Sequence, residues 1–389
     1  MAAEELGLKP IASLPPGGWR VLRDRLLASP RFQHWAARFP LTRWVARRRA
    51  KSLFDLCAGF VYSQVLYACI ALHLFDHLAQ GAAGAAALAP HLGLTEEAAL
   101  RLLEAARSLG LVERRGRELY GLGALGAALR GNPGAMAMIE HHALLYADLA
   151  DPVALLRGRP SSRRLASYWP YAGTAEARRL TGPEIAPYTA LMARSQAMIA
   201  AEILDAYPMH RHRCLLDVGG GEGAFLAAAA LRAPQLRLML FDLPAVAERA
   251  RLCFAESGLA SRATVHSGDF HVDPLPRGAD ILSLVRVIHD HDDAAALRIL
   301  VAARRALTAQ GTLILAEPMA ETRGAESIGA AYFGFYLLAM GSGRPRRVAE
   351  LETLLRSAGF GTIRRIPTRM PMLTQLLVAH PGAEAAQPA

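Results

Sequence analysis

The sequence predicts an α/β domain with a mostly parallel sheet, preceded by a helical domain of winged-helix order. Three observations carry this. Beyond residue 206, apolar runs at 214–218, 237–241, 263–266, 280–285 and 312–316 alternate with helix-like segments, the rhythm of a parallel sheet covered by helices. Ahead of them, helical patterns at 53–79, 85–92 and 95–109 are followed by 111–120, which reads as two strands around Gly116. The first apolar run of the α/β part delivers Asp217 and then Gly219-Gly220-Gly221-Glu222-Gly223 before an alanine-rich helix. Glycines at such a strand-to-helix turn let backbone approach a ligand closely.

Residues 1–18, rich in proline and glycine, are expected to lack fixed structure. Residues 19–52 hold nine arginines and Lys51 against one acid, Asp24, interleaved with Trp19, Leu22, Phe32, Trp35, Phe39 and Trp44. Such an arm can lie on an anionic membrane, arginines at the headgroups and indoles at the interface. Packing on the protein itself and nucleic-acid binding are the alternatives. The 56–72 run approaches membrane-spanning length, but Ser63 and Gln64 within it and Asp55, His73 and Asp76 beside it favour a buried helix at a subunit interface. Thr95 is a candidate cap for the helix that follows it. Residues 131–206 read as largely helical, interrupted near 152–173 and 182–187, with Tyr168, Trp169 and Tyr171 clustered in a loop. The expected divisions are 1–52 (flexible start and arm), 53–130 (winged-helix-like), 131–206 (connector and pocket), 207–380 (α/β domain) and 381–389 (tail).

The 389 residues are 52% hydrophobic and carry a net charge of +10, enough chain for a large core with a bias toward acidic surfaces. Four cysteines without ligand spacing argue against a zinc site or a disulfide framework, and Cys57 and Cys214, set in apolar runs, read as small core residues. The start lacks the charged-then-apolar order of a signal peptide, so a cytoplasmic setting is expected.

The candidate site residues sit where the apolar runs end. Asp242 closes the second run, placed to accept from ribose hydroxyls. Gly268-Asp269-Phe270 follows the third; Asp269 can accept from an adenine amino group and Phe270 can pack on the ring. With Asp217 near the amino end of a methionine moiety and the acid Glu222 disfavouring a pyrophosphate, the set points to S-adenosylmethionine over a dinucleotide. The fourth run leads into Arg286-Val287-Ile288-His289-Asp290-His291-Asp292-Asp293. His289, on the rim where open sheets bind ligands, is a candidate general base. Glu317, closing the fifth run, can orient that imidazole or pair with an arginine. No metal is expected, because the neighbouring Asp and His residues are too adjacent in sequence to converge on one ion.

Four patterns in order (the 217–223 loop, Asp242-Leu243-Pro244, Gly268-Asp269-Phe270 and Arg-x-x-His-Asp at 286–290) resemble the S-adenosylmethionine-dependent O-methyltransferases of the caffeic-acid and hydroxyindole class. The resemblance implies a Rossmann-like methyltransferase domain with S-adenosyl-L-methionine as cofactor, His289 as catalytic base, Arg286 on the cofactor's methionine part, and a winged helix that serves dimerisation. It makes a homodimer with no nucleic-acid partner the expectation over a DNA-binding regulator. His291 stands where the class often has tryptophan. Pro345 stands where plant members carry a second active-site glutamate, so neither a plant-like pair of carboxylates nor a phenol substrate is expected. The stretches Arg31-Phe32-Gln33, 39–43, 46–50 and 54–64 resemble the demethylspheroidene O-methyltransferases, which implies a hydrophobic acyclic carotenoid as substrate, methylated at its tertiary 1-hydroxyl. A polyketide hydroxyl or a bacteriochlorophyll-type ring is the alternative acceptor. The run 331–340 is a candidate wall for the polyene or plain core. The setting expected from this is cytoplasmic, peripheral at an inner, photosynthetic membrane.

Overall fold

The computed structural model describes residues 18–169 and 179–382. The expectations for residues 1–17, Tyr171 and the tail from 383 fall outside them. The chain divides into two compact units, one formed by residues up to 74 with 81–121, the other by 75–80 and the residues from 122 onward.

The first unit holds α1 (Gly18–Ala28), α2 (Pro30–Arg38), α3 (Arg43–Ala71), α5 (Ala85–Leu92) and α6 (Glu96–Ser108), with the strands β1 (Val112–Arg114) and β2 (Tyr120–Leu122) paired; α4 (Leu74–Ala79) lies at the division. Thr95 caps α6, its hydroxyl oxygen accepting from the Ala98 N–H at 3.2 Å. No break falls at residue 52, because α3 runs unbroken from the arginine-rich stretch into the apolar one. One expectation is corrected here: Cys57 is exposed, because it stands on the outward side of α3, whereas Cys214 is buried. Within this chain only Cys69 and Ile70 of α3 are buried, and the rest of the 56–72 run is half-buried or exposed.

The second unit opens with helices α7 (Ala124–Arg130), α8 (Pro133–Asp148), α9 (Pro152–Leu156), α10 (Arg164–Tyr168) and α11 (Gly182–Ala206). Then β3 (Cys214–Val218), β4 (Arg237–Asp242), β5 (Ala263–Ser267), β6 (Ile281–Val285) and β7 (Thr312–Glu317) alternate with α12 (Ala224–Arg232), α13 (Pro244–Glu256) and α14 (Asp293–Ala306). After α15 (Gly334–Met340) and α16 (Val348–Ser357) come two strands that the sequence reading missed, β8 (Phe360–Ile366) and β9 (Gln375–Pro381). The sheet order is β5-β4-β3-β6-β7-β9-β8, parallel through β7, with β9 running antiparallel to both of its neighbours, β7 and β8.

β3, β6 and β7 are continuous apolar runs because helices cover both faces of the sheet; every residue of these three strands is buried. The chain steps outward from β3 to β4 and β5, then returns to β6 on the other side of β3. That reversal opens a crevice at the carboxyl ends of β3 and β6, where open α/β sheets bind ligands.

The opposite ends of these strands are tied by Asp280. Its carboxylate accepts from the N–H groups of Cys214 (2.7 Å) and Arg213 (3.0 Å) and meets His212 Nδ1 at 3.2 Å. Burial pushes this carboxyl up, but the donors of Cys214, Arg213 and His212 outweigh it and hold it below the usual aspartate value. The bond energy is therefore present above the unfolded pKa and fades as pH falls through the folded one. Asp280→Ala is expected to cost about 1–2 kcal/mol at neutral pH. Urea denaturation checks this, and the difference from the parent shrinks below the ordinary aspartate pKa.

Candidate active site

The crevice gathers all nine residues that the sequence assigned to cofactor binding: Asp217, Gly219, Gly220, Gly221, Asp242, Gly268, Asp269, Phe270 and Arg286 line one cavity. Trp169, Tyr188 and Met192 from the helical part line it too.

Asp217 is buried at the end of β3, where Ser283 donates to it at 2.6 Å. Burial pushes its carboxyl up to about 7, against the Ser283 bond and with help from nearby Asp242. Gly219 and Gly221 have φ of +69° and +59°, which L side chains rarely adopt. A Cβ on Gly221 would meet nothing within 4 Å, so bare backbone faces open space there. The Gly221 N–H donates to Asp242 at 2.8 Å, and Leu243 N–H donates to the other carboxylate oxygen at 2.7 Å. Burial raises Asp242 to about 6 despite those two donors. Asp269 accepts from His271 N–H at 2.8 Å, which fixes the loop after β5.

Phe270, His271 and His291 form one aromatic wall, with ring centroids 4.8–5.5 Å apart. Burial, then the neighbouring His271, lowers His291 to about 3, so this ring stays neutral. Arg286 holds a left-handed backbone (φ +59°) and reaches back to α11, donating to Ser195 Oγ at 2.8 Å and meeting Met192 Sδ at 3.2 Å.

In the sequence, Glu222 reads as a negative charge inside the loop. The structure corrects that part of the argument: Arg249 pairs with its carboxylate, so the charge is neutralised locally and does not discriminate between ligands.

His289 and Glu317 come together. His289 sits in the one-turn helix Ile288–Asp290 just beyond β6, and its Nδ1–H donates to Glu317 Oε2. Glu317 Oε1 accepts from the N–H groups of Ile288 (2.7 Å) and Val287 (3.1 Å), so one buried carboxylate orients both the turn and the ring. Neither residue lines the cavity, but Asp290 does. Asp290 Oδ1 lies 3.1 Å from His289 Nε2. The two are within ion-pair distance but misaligned for a hydrogen bond, and Oδ1 has no donor. Burial alone would lower the His289 pKa; Asp290 and Glu317 outweigh it and raise it. Asp290 is itself pushed up to about 6, chiefly by burial.

The sequence reading also missed what holds this turn. Four consecutive carbonyls are caught by residues 342–346. Arg346 donates to Ile288 O and His291 O at 2.7 Å each, Arg344 N–H to His289 O at 2.9 Å, and Ser342 Oγ to Asp290 O at 2.8 Å. Arg346 is only 2% exposed and also pairs with Asp293 at 2.8 Å. A Cβ on Gly343 would lie 2.1 Å from His289 O, so only glycine permits this approach. Nothing in the run Gly343-Arg344-Pro345-Arg346-Arg347 marks which arginine is buried. Of the acids after His289, Asp292 caps α14, accepting from Ala295 N–H at 2.7 Å. Among the described residues no group of His, Cys, Asp and Glu is arranged to hold a metal ion.

The chain belongs to the S-adenosylmethionine-dependent O-methyltransferase family and is an enzyme of that class. It matches the O-methyltransferase domain over residues 146–361 and the O-methyltransferase dimerisation domain over 54–131, which makes it a homodimer. It is 44% identical to the demethylspheroidene O-methyltransferase of Cereibacter sphaeroides over 93% of this chain and 95% of that one. It is 32% identical to the acetylserotonin O-methyltransferase of Mus musculus, over 87% and 90%. The S-adenosylhomocysteine-bound structure of CalO1, a methyltransferase in calicheamicin biosynthesis, superposes with a TM-score of 0.69 at 28% identity, covering 86% of this chain and 98% of that one. The cavity suits the family's cofactor: bare backbone at Gly221, buried carboxylates beside it and an aromatic wall match a ligand with hydroxyls, a purine and a positive centre.

Arg346→Met strips the carbonyls of Ile288 and His291 of their donor. The expected loss is about 2–4 kcal/mol of stability in chemical denaturation. A wild-type denaturation midpoint would contradict the clamp.

Proposed function

We propose that the protein transfers the methyl group of S-adenosylmethionine to the tertiary 1-hydroxyl of an acyclic carotenoid. The observation that carries this is the near full-length identity to a demethylspheroidene O-methyltransferase. The apolar and aromatic surroundings of His289 are in keeping with it. Phe333 sets its ring edge against the imidazole, and Tyr332, Tyr336 and Trp169 continue that surface. Part of the 331–340 run is core as well, since Tyr336, Leu337, Ala339 and Met340 are buried.

When bound, S-adenosylmethionine supplies an electrophilic methyl group. The residues that would hold it are Asp217 at the amino end, the backbone of Gly219, Gly220 and Gly221, Asp242 at the ribose, Gly268, Asp269 and Phe270 at the adenine, and Arg286 at the methionine part. A tertiary alcohol is far less acidic than a phenol, so its proton leaves only as the new carbon–oxygen bond forms. His289 Nε2 takes that proton. Glu317 keeps Nδ1 protonated and leaves Nε2 as the acceptor, and Asp290 offsets the charge of the imidazolium. Asp290 Oδ1, lacking a donor, is placed to orient the incoming hydroxyl. The burial of all three groups keeps water from competing.

A long polyene dissolves in lipid, so the protein is read as peripheral on the cytoplasmic face of an inner, photosynthetic membrane that is anionic, and as having no nucleic-acid partner.

Co-expression with a pathway that makes 1-hydroxylated acyclic carotenoids tests the substrate. Pigments gaining one methyl group are expected; unchanged pigments beside methylation of another host compound would overturn it. His289→Gln is expected to lower kcat by about 100-fold or more while S-adenosylmethionine affinity stays within a few-fold. The raised His289 pKa places the rising limb of the pH–rate profile above the ordinary histidine value of about 6.5. Asp290→Asn removes a charge that raises it, so the limb moves to lower pH; an unmoved limb would remove Asp290 from the scheme.

A further inference from the structure

The arm that precedes the dimerisation domain carries a surface that catalysis does not use. Residues 19–52 hold ten bases against one acid, a net charge of +9 in a chain whose total is +10. Among the described residues, Arg23 is the one arginine of residues 18–52 that meets a carboxylate, Asp24 at 2.7 Å.

α2 concentrates this charge. Ser29 caps it and Pro30 starts it, which fixes its first turn. Arg31, His34 and Arg38 fall at i, i+3 and i+7, on one face. Trp35 and Phe39 stack beside them with centroids 5.1 Å apart and planes 14° off parallel. These five residues and Pro40 line a single open cleft. Arg38 Nη1 is 3.3 Å from His34 Nε2, so the cleft holds two guanidinium groups and no acid. On the same arm, large apolar side chains stand in the open: Trp19 in α1 is 72% exposed, Leu41 after α2 75% and Trp44 in α3 62%.

We infer that this cleft is a binding site for the phosphate headgroup of an anionic membrane lipid, and that the exposed indoles and leucines of the same arm enter the headgroup boundary of the same leaflet. Guanidinium groups match phosphate oxygens in geometry and charge, and indole suits the interface. A soluble phosphate satisfies the arginines but leaves Trp19, Leu41 and Trp44 in water; a lipid surface covers both. A second copy of the arm is a poor cover, because it sets like charge against like charge. The uncharged exposed residues that follow on α3, Leu53, Phe54, Leu56 and Phe60, belong to the stretch around and within the matched dimerisation domain, where a second copy supplies the cover. The inference deepens the membrane reading above and does not depend on which polyene is methylated.

Sedimentation of the full-length dimer with phosphatidylcholine vesicles, with and without a minority of phosphatidylglycerol, tests it. Binding is expected on the anionic vesicles alone and is lost at high salt. Arg31→Ala with Arg38→Ala is expected to weaken it about tenfold or more, while Arg31→Lys with Arg38→Lys retains most of it. S-adenosylmethionine binding by calorimetry and dimer mass by light scattering stay unchanged in both variants. Equal binding to neutral vesicles, competition by millimolar inorganic phosphate, a preference for RNA over vesicles, or a change of dimer mass in the alanine variant would each overturn the lipid site. Pigment methylation in detergent is independent of this outcome, so the failure of one reading leaves the other standing.

Discussion

The capture of four backbone carbonyls by residues 342–346 is the constraint on which the rest of the site depends. A short turn after a buried strand leaves polar backbone groups inside the protein, and each unpaired one costs stability. Here Glu317 satisfies the N–H groups of Val287 and Ile288, while Arg346, Arg344 and Ser342 satisfy the carbonyls from Ile288 to His291. With both sets of backbone groups paired, the turn has one arrangement. That arrangement puts His289 between two carboxylates and Asp290 on the cavity wall. The same loop holds the position where a plant-like glutamate was sought and Pro345 stands. The second carboxylate beside the imidazole comes instead from its own neighbour in sequence.

The electrostatics of the rim follow from burial. Asp217, Asp242 and Asp290 are all pushed upward, because a carboxylate loses hydration there faster than it gains donors. A cation brought among them lowers those values again and is held in exchange. Such a rim discriminates for a positive ligand, which is the physical sense behind preferring a sulfonium to a pyrophosphate. The discrimination resides in these three groups and not in Glu222, which Arg249 has already neutralised.

Much of this was legible in the sequence because the information is local. The strands β3 to β7 are apolar runs of the right length bounded by turn residues, and the residues that end them stand at the sheet's carboxyl rim by topology alone. The nine cavity residues therefore came out of strand ends. What was not legible depends on partners distant in sequence. Arg346 looks like its neighbours Arg344 and Arg347, and only folding buries it. β8 carries Gly361, Arg364 and Arg365, which blur its alternation, since it is an edge strand largely open to solvent. Cys57 read as core because hydrophobicity says that a face will be covered without saying by which chain.

The most direct test of the central claim is the protonation of His289 itself, read by nitrogen-15 NMR of the labelled dimer. The account predicts a proton resident on Nδ1 at every pH where the fold persists, and a titration of Nε2 above the ordinary histidine value of about 6.5. A ring protonated on Nε2 with Nδ1 bare, or one that stays neutral well below that value, would contradict it.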